Sequence, residues 1–304
     1  MHCIVHCTCR VPIKFVKSQN KIEKEDIKIT ISCIPQLTTP LSVRRCMLRN
    51  QLKSKNLIKS IFFRMATLST TPTQPQLSMD EQRKAIIIQP PADVPHTATV
   101  IGPIHGLGDS SRGWLDGAMQ MYMNVPHCKF ILPDAPVQPV TLNNGYEMPS
   151  WYDITGLGDR FEEDCKGIEE SRTRINALIE EELSNGIPAD RIVICGFSQG
   201  GALSLITGLQ CNHSLAGCLV MSGYLAGAPT FKLNDAAKKT PVLHLHGKID
   251  PMVKIEWARE TQKRVVECGH PNYILKEYDG LEHSVNNEEM ADAVAFLKSC
   301  LPKI

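Results

Sequence analysis

Five short runs, TATVI (residues 97–101), KFIL (129–132), RIVIC (191–195), GCLVM (217–221) and PVLHLH (241–246), are almost continuously apolar and rich in β-branched side chains. Runs this short are strand-sized. Their lack of polar alternation marks strands buried on both faces, as in a parallel sheet. Between them lie stretches of helical period. Ile168, Ile175, Leu178, Ile179 and Leu183 fall on one helical face, and that pattern stops at Asn185-Gly186. Met290, Val294, Leu297 and Leu301 repeat it near the end. Strand and helix in alternation predict an α/β fold with a mostly parallel central sheet flanked by helices. The pattern opens at KAIIIQPP, so the folded unit is expected to span residues 84–304.

Composition separates this unit from what precedes it. The chain has 304 residues, 42% hydrophobic and 21% charged, which suffices for one substantial core. No run approaches the roughly 18 to 20 apolar residues of a membrane-spanning helix. Residues 1–64 hold 13 Lys and Arg against Glu23, Glu25 and Asp26, a net of +10, whereas the remaining 240 residues carry −9. Such asymmetry fits a basic arm, an import signal or an extension absent from the mature protein. The acidic residues within KIEKEDIKITISCI oppose a transit peptide, and near-absence of interleaved aromatics opposes nucleic-acid binding. Residues 65–83 are rich in Ser, Thr, Pro and Gln and read as a flexible linker, with Met65 as an alternative natural start. The 12 cysteines are scattered without metal-ligand spacing, as expected of reduced thiols in a cytosolic protein.

One motif carries chemistry. GFSQG, residues 196–200, places Ser198 between two glycines at a strand-to-helix junction. At such a turn the serine oxygen projects above the sheet, and side chains two residues either side would collide with the neighbouring strand and helix. The alternative is a glycine-rich turn with a helix-capping serine. A serine hydroxyl becomes nucleophilic only when a histidine takes its proton and a carboxylate orients that histidine. After the serine, Asp250 follows the run PVLHLHGKIDPMV and His283 lies in a loop before the last helix, in the order acid then histidine. Asp134 precedes the serine and is disfavoured by that order. His244 and His246 alternate along a strand and read as packing residues, and His213 and His270 sit in polar connections and read as solvated. For the oxyanion, the two backbone N–H groups expected are those of Gln199 and of Leu107, the latter in IHGLGDSSRGW, where Gly106 and Gly108 permit close approach.

Taken in order, HGLGDSSRGW, APVQPVTLNNGYEMPSWYDITGLG, GFSQGGALSL, HGKIDPMV and EHS resemble the acyl-protein thioesterase and lysophospholipase group of α/β-hydrolases. The resemblance implies the α/β-hydrolase fold and hydrolysis of S-palmitoyl thioesters on protein cysteines, together with lysophospholipids and small esters. It carries over Ser198, Asp250 and His283 as a triad, Leu107 and Gln199 as oxyanion donors, and Met148, Trp151, Tyr152 and Leu157 as substrate-binding residues. It implies no metal or organic cofactor. The expected partners are S-acylated proteins, lysophospholipids and a transient membrane surface, for a cytoplasmic monomer or weak homodimer. The chain departs from the family at Gly102-Pro103-Ile104, where a large apolar pair is usual. Proline cannot donate to a sheet ladder, which puts strand pairing there, and the position of Leu107, in question. A general carboxylesterase or lysophospholipase, and a non-catalytic ligand-binding module on the same fold, are the alternatives.

Overall fold

A computed structural model describes residues 74–304, apart from Leu157 and Asp159, together with two short strands, Cys7–Thr8 and Thr30–Ile31, that pair antiparallel. The remainder of the basic segment 1–64, the Met65 start and the proposed substrate residue Leu157 lie outside the described residues. The strands of the main unit, in chain order, are β1 (Gln76–Asp80), β2 (Ala85–Gln89), β3 (Ala98–Ile104), β4 (Cys128–Pro133), β5 (Val137–Val140), β6 (Tyr146–Pro149), β7 (Ile192–Phe197), β8 (Gly217–Met221), β9 (Val242–Gly247) and β10 (Tyr273–Tyr278). The helices are α1 (Leu115–Tyr122), α2 (Ile168–Ser184), α3 (Gln199–Leu209), α4 (Ile255–Glu267) and α5 (Asn287–Cys300).

Eight strands form one sheet in the order β10-β9-β8-β7-β3-β4-β2-β1, and β5 and β6 form a separate antiparallel hairpin. From β10 to β4 every neighbouring pair is parallel, and β2 and β1 add antiparallel at one edge. The continuous apolar runs have the expected cause: each central strand buries both faces. On β7, Ile192 and Ile194 pack with Leu178 of α2 and Leu203 and Ile206 of α3, while Val193 and Cys195 pack with Met121 of α1 and Leu297 of α5. At about 1.5–3 kcal/mol for each fully buried aliphatic side chain, this double-sided burial is what anchors the strand ends that carry the site.

Two departures from the sequence reading are local. The compact unit runs Pro72–Ile304, so it begins ahead of the boundary near residue 84. β1 lies inside the stretch read as linker, with Leu77 and Met79 exposed. It joins the sheet through backbone pairing to β2, from Gln76↔Gln89 to Asp80↔Ala85, and side-chain composition does not report such pairing. At the other departure, β3 pairs regularly with β7 up to Ile101↔Ile194 and resumes at Ile104↔Gly196 with a shift of register. The Gly102-Pro103 pair sits in that irregularity, so the proline costs no regular ladder bond. Gly102 has φ 124°, and a Cβ there would lie 2.1 Å from the Cys195 carbonyl oxygen, so no other residue fits.

Candidate active site

Ser198 connects β7 to α3 with φ 56° and ψ −121°, a conformation that a residue with a side chain adopts only when its surroundings enforce it. Its N–H donates to the Met221 carbonyl at 2.9 Å. A Cβ at Gly196 would lie 2.3 Å from the Gly200 oxygen, and one at Gly200 would lie 2.1 Å from the Ile104 oxygen and 2.4 Å from the His105 oxygen. The two glycines therefore let strand, helix and the loop after β3 meet at the serine.

Asp250 follows β9 and His283 lies between β10 and α5, so all three side chains gather at the C-terminal ends of parallel strands on one half of the sheet, where open parallel sheets place their ligands. His283 Nε2 is 2.9 Å from Ser198 Oγ, and His283 Nδ1 is 2.7 Å from Asp250 Oδ2. With the Nδ1 proton given to the carboxylate, Nε2 is left to accept from the serine hydroxyl. The Phe197 ring packs against the imidazole at 4.8 Å between centroids. Asp250 is buried; its Oδ1 accepts from the N–H groups of Met252 and Val253, each at 2.8 Å. Burial works against its charge, but the hydrogen bond from His283 and those from Val253 and Met252 outweigh it and hold the carboxyl below its ordinary range.

The N–H of Gln199 opens α3 and so has no intrahelical acceptor. Leu107 lies in the loop after β3, half-buried at the edge of the same cleft, and its N–H has no hydrogen-bond acceptor among the described residues. What aims it is His105, which the sequence reading passed over. The Ala135 N–H donates to His105 Nε2 at 3.0 Å, so the ring proton sits on Nδ1 and is donated to the Gly106 carbonyl at 2.8 Å. Burial depresses the protonation of this imidazole, in keeping with a neutral ring. In a trans peptide the C=O and N–H point in opposite directions, so a fixed Gly106 carbonyl fixes the Leu107 N–H. Asp134, disfavoured as the triad acid, accepts from the Ser111 N–H at 2.6 Å and steadies the far end of this loop.

A cleft of about 600 Å³ opens at Ser198, with Leu107, Leu142, Ile154, Tyr224 and Val253 among its apolar walls. The three proposed substrate residues that the structure describes are elsewhere. Trp151 and Tyr152 have no exposed surface and do not line the cleft. They sit behind it: the Gln199 carboxamide accepts from the Trp151 N–H at 3.0 Å and donates to the Tyr152 carbonyl at 2.7 Å, and Trp151 Nε1 donates to the His105 carbonyl at 2.8 Å. These aromatics brace the loop after β3 against α3. Met148 is half-buried beside Gly108, also outside the cleft lining. From the same block, Leu142 and Ile154 line it instead, and no periodicity in the sequence distinguishes them. Among the described residues no group of three or more His, Cys, Asp or Glu side chains is arranged to hold a metal ion.

Glu289, in the first turn of α5 beside cleft residue Met290, is fully buried, and neither carboxyl oxygen has a hydrogen-bond partner among the described residues. Burial, with added repulsion from Asp250 and Asp292, pushes this carboxyl up to about 8, so it is neutral at pH 7. A raised folded-state value means stability that is fully present below the unfolded value of about 4.5 and is lost as pH rises through 8. Glu289→Gln, which cannot ionise, is expected to match the wild type below pH 4.5. At pH 9 it should be more stable by on the order of 2–4 kcal/mol in urea unfolding. Equal stability of the two proteins at pH 9 would refute the buried neutral acid.

Residues 83–301 match the phospholipase/carboxylesterase family. Acyl-protein thioesterase 1 homolog 1 of Dictyostelium discoideum is 41% identical over 211 residues, covering 68% of this chain and 92% of that protein. Acyl-protein thioesterase 1 of Gibberella zeae is 40% identical over 223 residues, covering 70% and 94%. Among solved structures, Arabidopsis thaliana SOBER1 superposes with a TM-score of 0.61 at 32% identity, covering 67% of this chain and 99% of that one. The chain is a hydrolase of the acyl-protein thioesterase family, built on the α/β-hydrolase fold.

Proposed function

We propose that this enzyme cleaves long-chain S-acyl thioesters from protein cysteines through an acyl-enzyme on Ser198. The observation that carries the reading is the hydrogen-bonded line Ser198–His283–Asp250 opening onto an apolar cleft; the thioesterase names of the relatives support the substrate class. Ser198 Oγ attacks the thioester carbonyl carbon as His283 Nε2 takes its proton. The C–S bond then breaks and the proton passes to the departing cysteine sulfur. Water, deprotonated by the same nitrogen, attacks the serine ester, releases the fatty acid and restores the hydroxyl. Negative charge on the carbonyl oxygen is met by the N–H groups of Leu107 and Gln199. At about 0.8 kcal/mol per buried CH₂, a palmitoyl chain supplies roughly 10 kcal/mol of membrane affinity at most, so its removal releases proteins held by two anchors. On this reading the enzyme works in the cytoplasm with transient membrane contact, where S-acylated proteins are anchored.

The test compares kcat/KM for a palmitoylated peptide thioester, a lysophospholipid and a short-chain ester. The thioester is expected to exceed both by tenfold or more; a short-chain ester at the head of the series returns the general carboxylesterase reading. The oxyanion assignment has its own handle in His105. His105→Leu removes the bond to the Gly106 carbonyl and is expected to lower kcat about 10- to 100-fold with KM changed less than threefold, since the lost interaction belongs to the transition state. His105→Asn, which can still donate there, should recover most of the loss. Equal effects of the two substitutions would show that the ring's bulk, not its proton, is what matters.

A further inference from the structure

Below the site, β9 carries His244 and His246 two positions apart, so both rings leave the strand on one face. Both are fully buried. His246 Nε2 lies 2.7 Å from the Val253 carbonyl, which can only accept, so Nε2 carries the proton. Burial, chiefly, and the neighbouring His283 ring hold the His246 imidazole below its ordinary range, against the pull of the Val253 carbonyl, Asp250 and Glu277. A neutral His246 has a lone pair on Nδ1, so His244 Nε2, at 3.2 Å, is the donor. By the same reasoning His244 Nδ1 accepts, and the Tyr273 hydroxyl, 2.7 Å away, donates to it. Three side chains and one carbonyl thus share a single direction of donation, from Tyr273 to Val253. The array ends against the orienting acid: the Val253 N–H donates to Asp250 Oδ1 at 2.8 Å, and His246 Nε2 stands 3.7 Å from Asp250 Oδ2, the oxygen that receives His283.

We propose that Tyr273, His244 and His246 are positioning residues that keep the imidazole beside Asp250 neutral and the Asp250 turn fixed, so that His283 alone competes for the carboxylate. The proposal rests on Asp250 as the orienting acid. A second proton on His246 would occupy Nδ1 and meet the His244 Nε2–H head on. To receive it, His244 must move its own proton to Nδ1, and Tyr273 must turn its hydroxyl from donor to acceptor. Protonation of His246 therefore requires the whole array to reverse, and a charged ring 3.7 Å from Asp250 Oδ2 would draw the carboxylate away from His283. The other groups that face the array are the Gly223 carbonyl, toward His244, and the Cys218 thiol and the His270 ring, toward Tyr273; burial holds the His270 imidazole below its ordinary range, and its ring meets Tyr273 edge-on at 6.5 Å between centroids. None of these replaces the donor that Tyr273 supplies.

Tyr273→Phe deletes that donor while keeping the ring. His244 can then carry its proton on either nitrogen, and His246 takes up a proton at higher pH. The expected result is a pH-dependent loss: the fall in kcat/KM relative to wild type is at least tenfold greater at pH 6 than at pH 8.5. The Tyr273→Phe/His246→Asn double variant, with no ring to charge beside Asp250, recovers the wild-type pH profile. NMR titration of His246 in the full chain shows its midpoint raised by one pH unit or more in Tyr273→Phe. His244→Gln, whose amide oxygen can turn toward a protonated Nδ1, gives the same shift and serves if Tyr273→Phe does not fold. A loss of equal size at every pH, or an unmoved His246 titration, overturns the proposal. Retention of full activity by Asp250→Asn instead overturns the reading of Asp250, and the His246 titration separates the two failures because it does not depend on turnover.

Discussion

Ser198→Ala is expected to lower kcat/KM for a palmitoyl thioester by about 10⁴- to 10⁶-fold and to abolish covalent labelling by a fluorophosphonate, with no change in thermal stability beyond about 1 kcal/mol. The reason lies in how little else the oxygen does. Its one hydrogen-bond partner among the described residues is His283 Nε2, at 2.9 Å, while the strained backbone that presents it is held by the Met221 carbonyl and by the glycines on either side. Removing the oxygen deletes the bond-forming atom and leaves the elbow in place. Asp250→Asn should cost less, about 10⁴-fold, because it leaves nucleophile and base present and removes only the charge that fixes the base. The two losses will not multiply, since residues that act in one line fail together. Undiminished labelling of Ser198→Ala would move the nucleophile elsewhere, and with it the whole reading of the cleft; persistence of turnover without labelling would point to a different chemistry.

The parts of this site legible in the sequence are those where backbone geometry dictates residue type. RIVIC is continuous because β7 is covered on both faces, and GFSQG needs its glycines because two backbones pass within van der Waals distance of residues 196 and 200. Asp250 and His283 follow from chain order once Ser198 is placed. What escaped is set by tertiary contacts. Trp151 and Tyr152 are aromatic residues in a loop, equally suited to line a cleft or to fill the space behind one, and the Gln199 carboxamide decides between them. His270 sits in a polar connection yet is buried, with its ring against Tyr273. The hairpin strands VQPV and YEMP each contain a proline and no apolar alternation, and they are held by pairing with one another. α1 has Gly117 in its interior and no side-chain cap at its start, so local propensity understates a helix fixed by Ala118 and Met121 in the core.

Gly200→Ala tests the same geometry through stability, and we expect it to be among the most damaging single-methyl additions in the molecule. Its Cβ would stand 2.1 Å from the Ile104 oxygen and 2.4 Å from the His105 oxygen. Both obstacles are backbone atoms, one at the end of central strand β3 and one in the loop that carries Leu107, so no side-chain rotation relieves the clash. The start of α3 must draw back from β3, against burial of every residue of α3 and the close packing of the core. Overpacking of this kind costs about 3 kcal/mol or more, equivalent to a fall in Tm of roughly 10 °C for a domain of this size. Gly145→Ala provides the contrast: φ is 76° there, but nothing lies within 4 Å of the added carbon, so only the left-handed backbone conformation is penalised, at about 1–2 kcal/mol. The separation that relieves the clash at residue 200 also moves the Leu107 and Gln199 N–H groups apart. Whatever Gly200→Ala protein remains folded should therefore lose kcat more than Gly145→Ala does, and a Gly200→Ala enzyme with wild-type Tm and kcat would mean that helix and loop do not meet at this glycine.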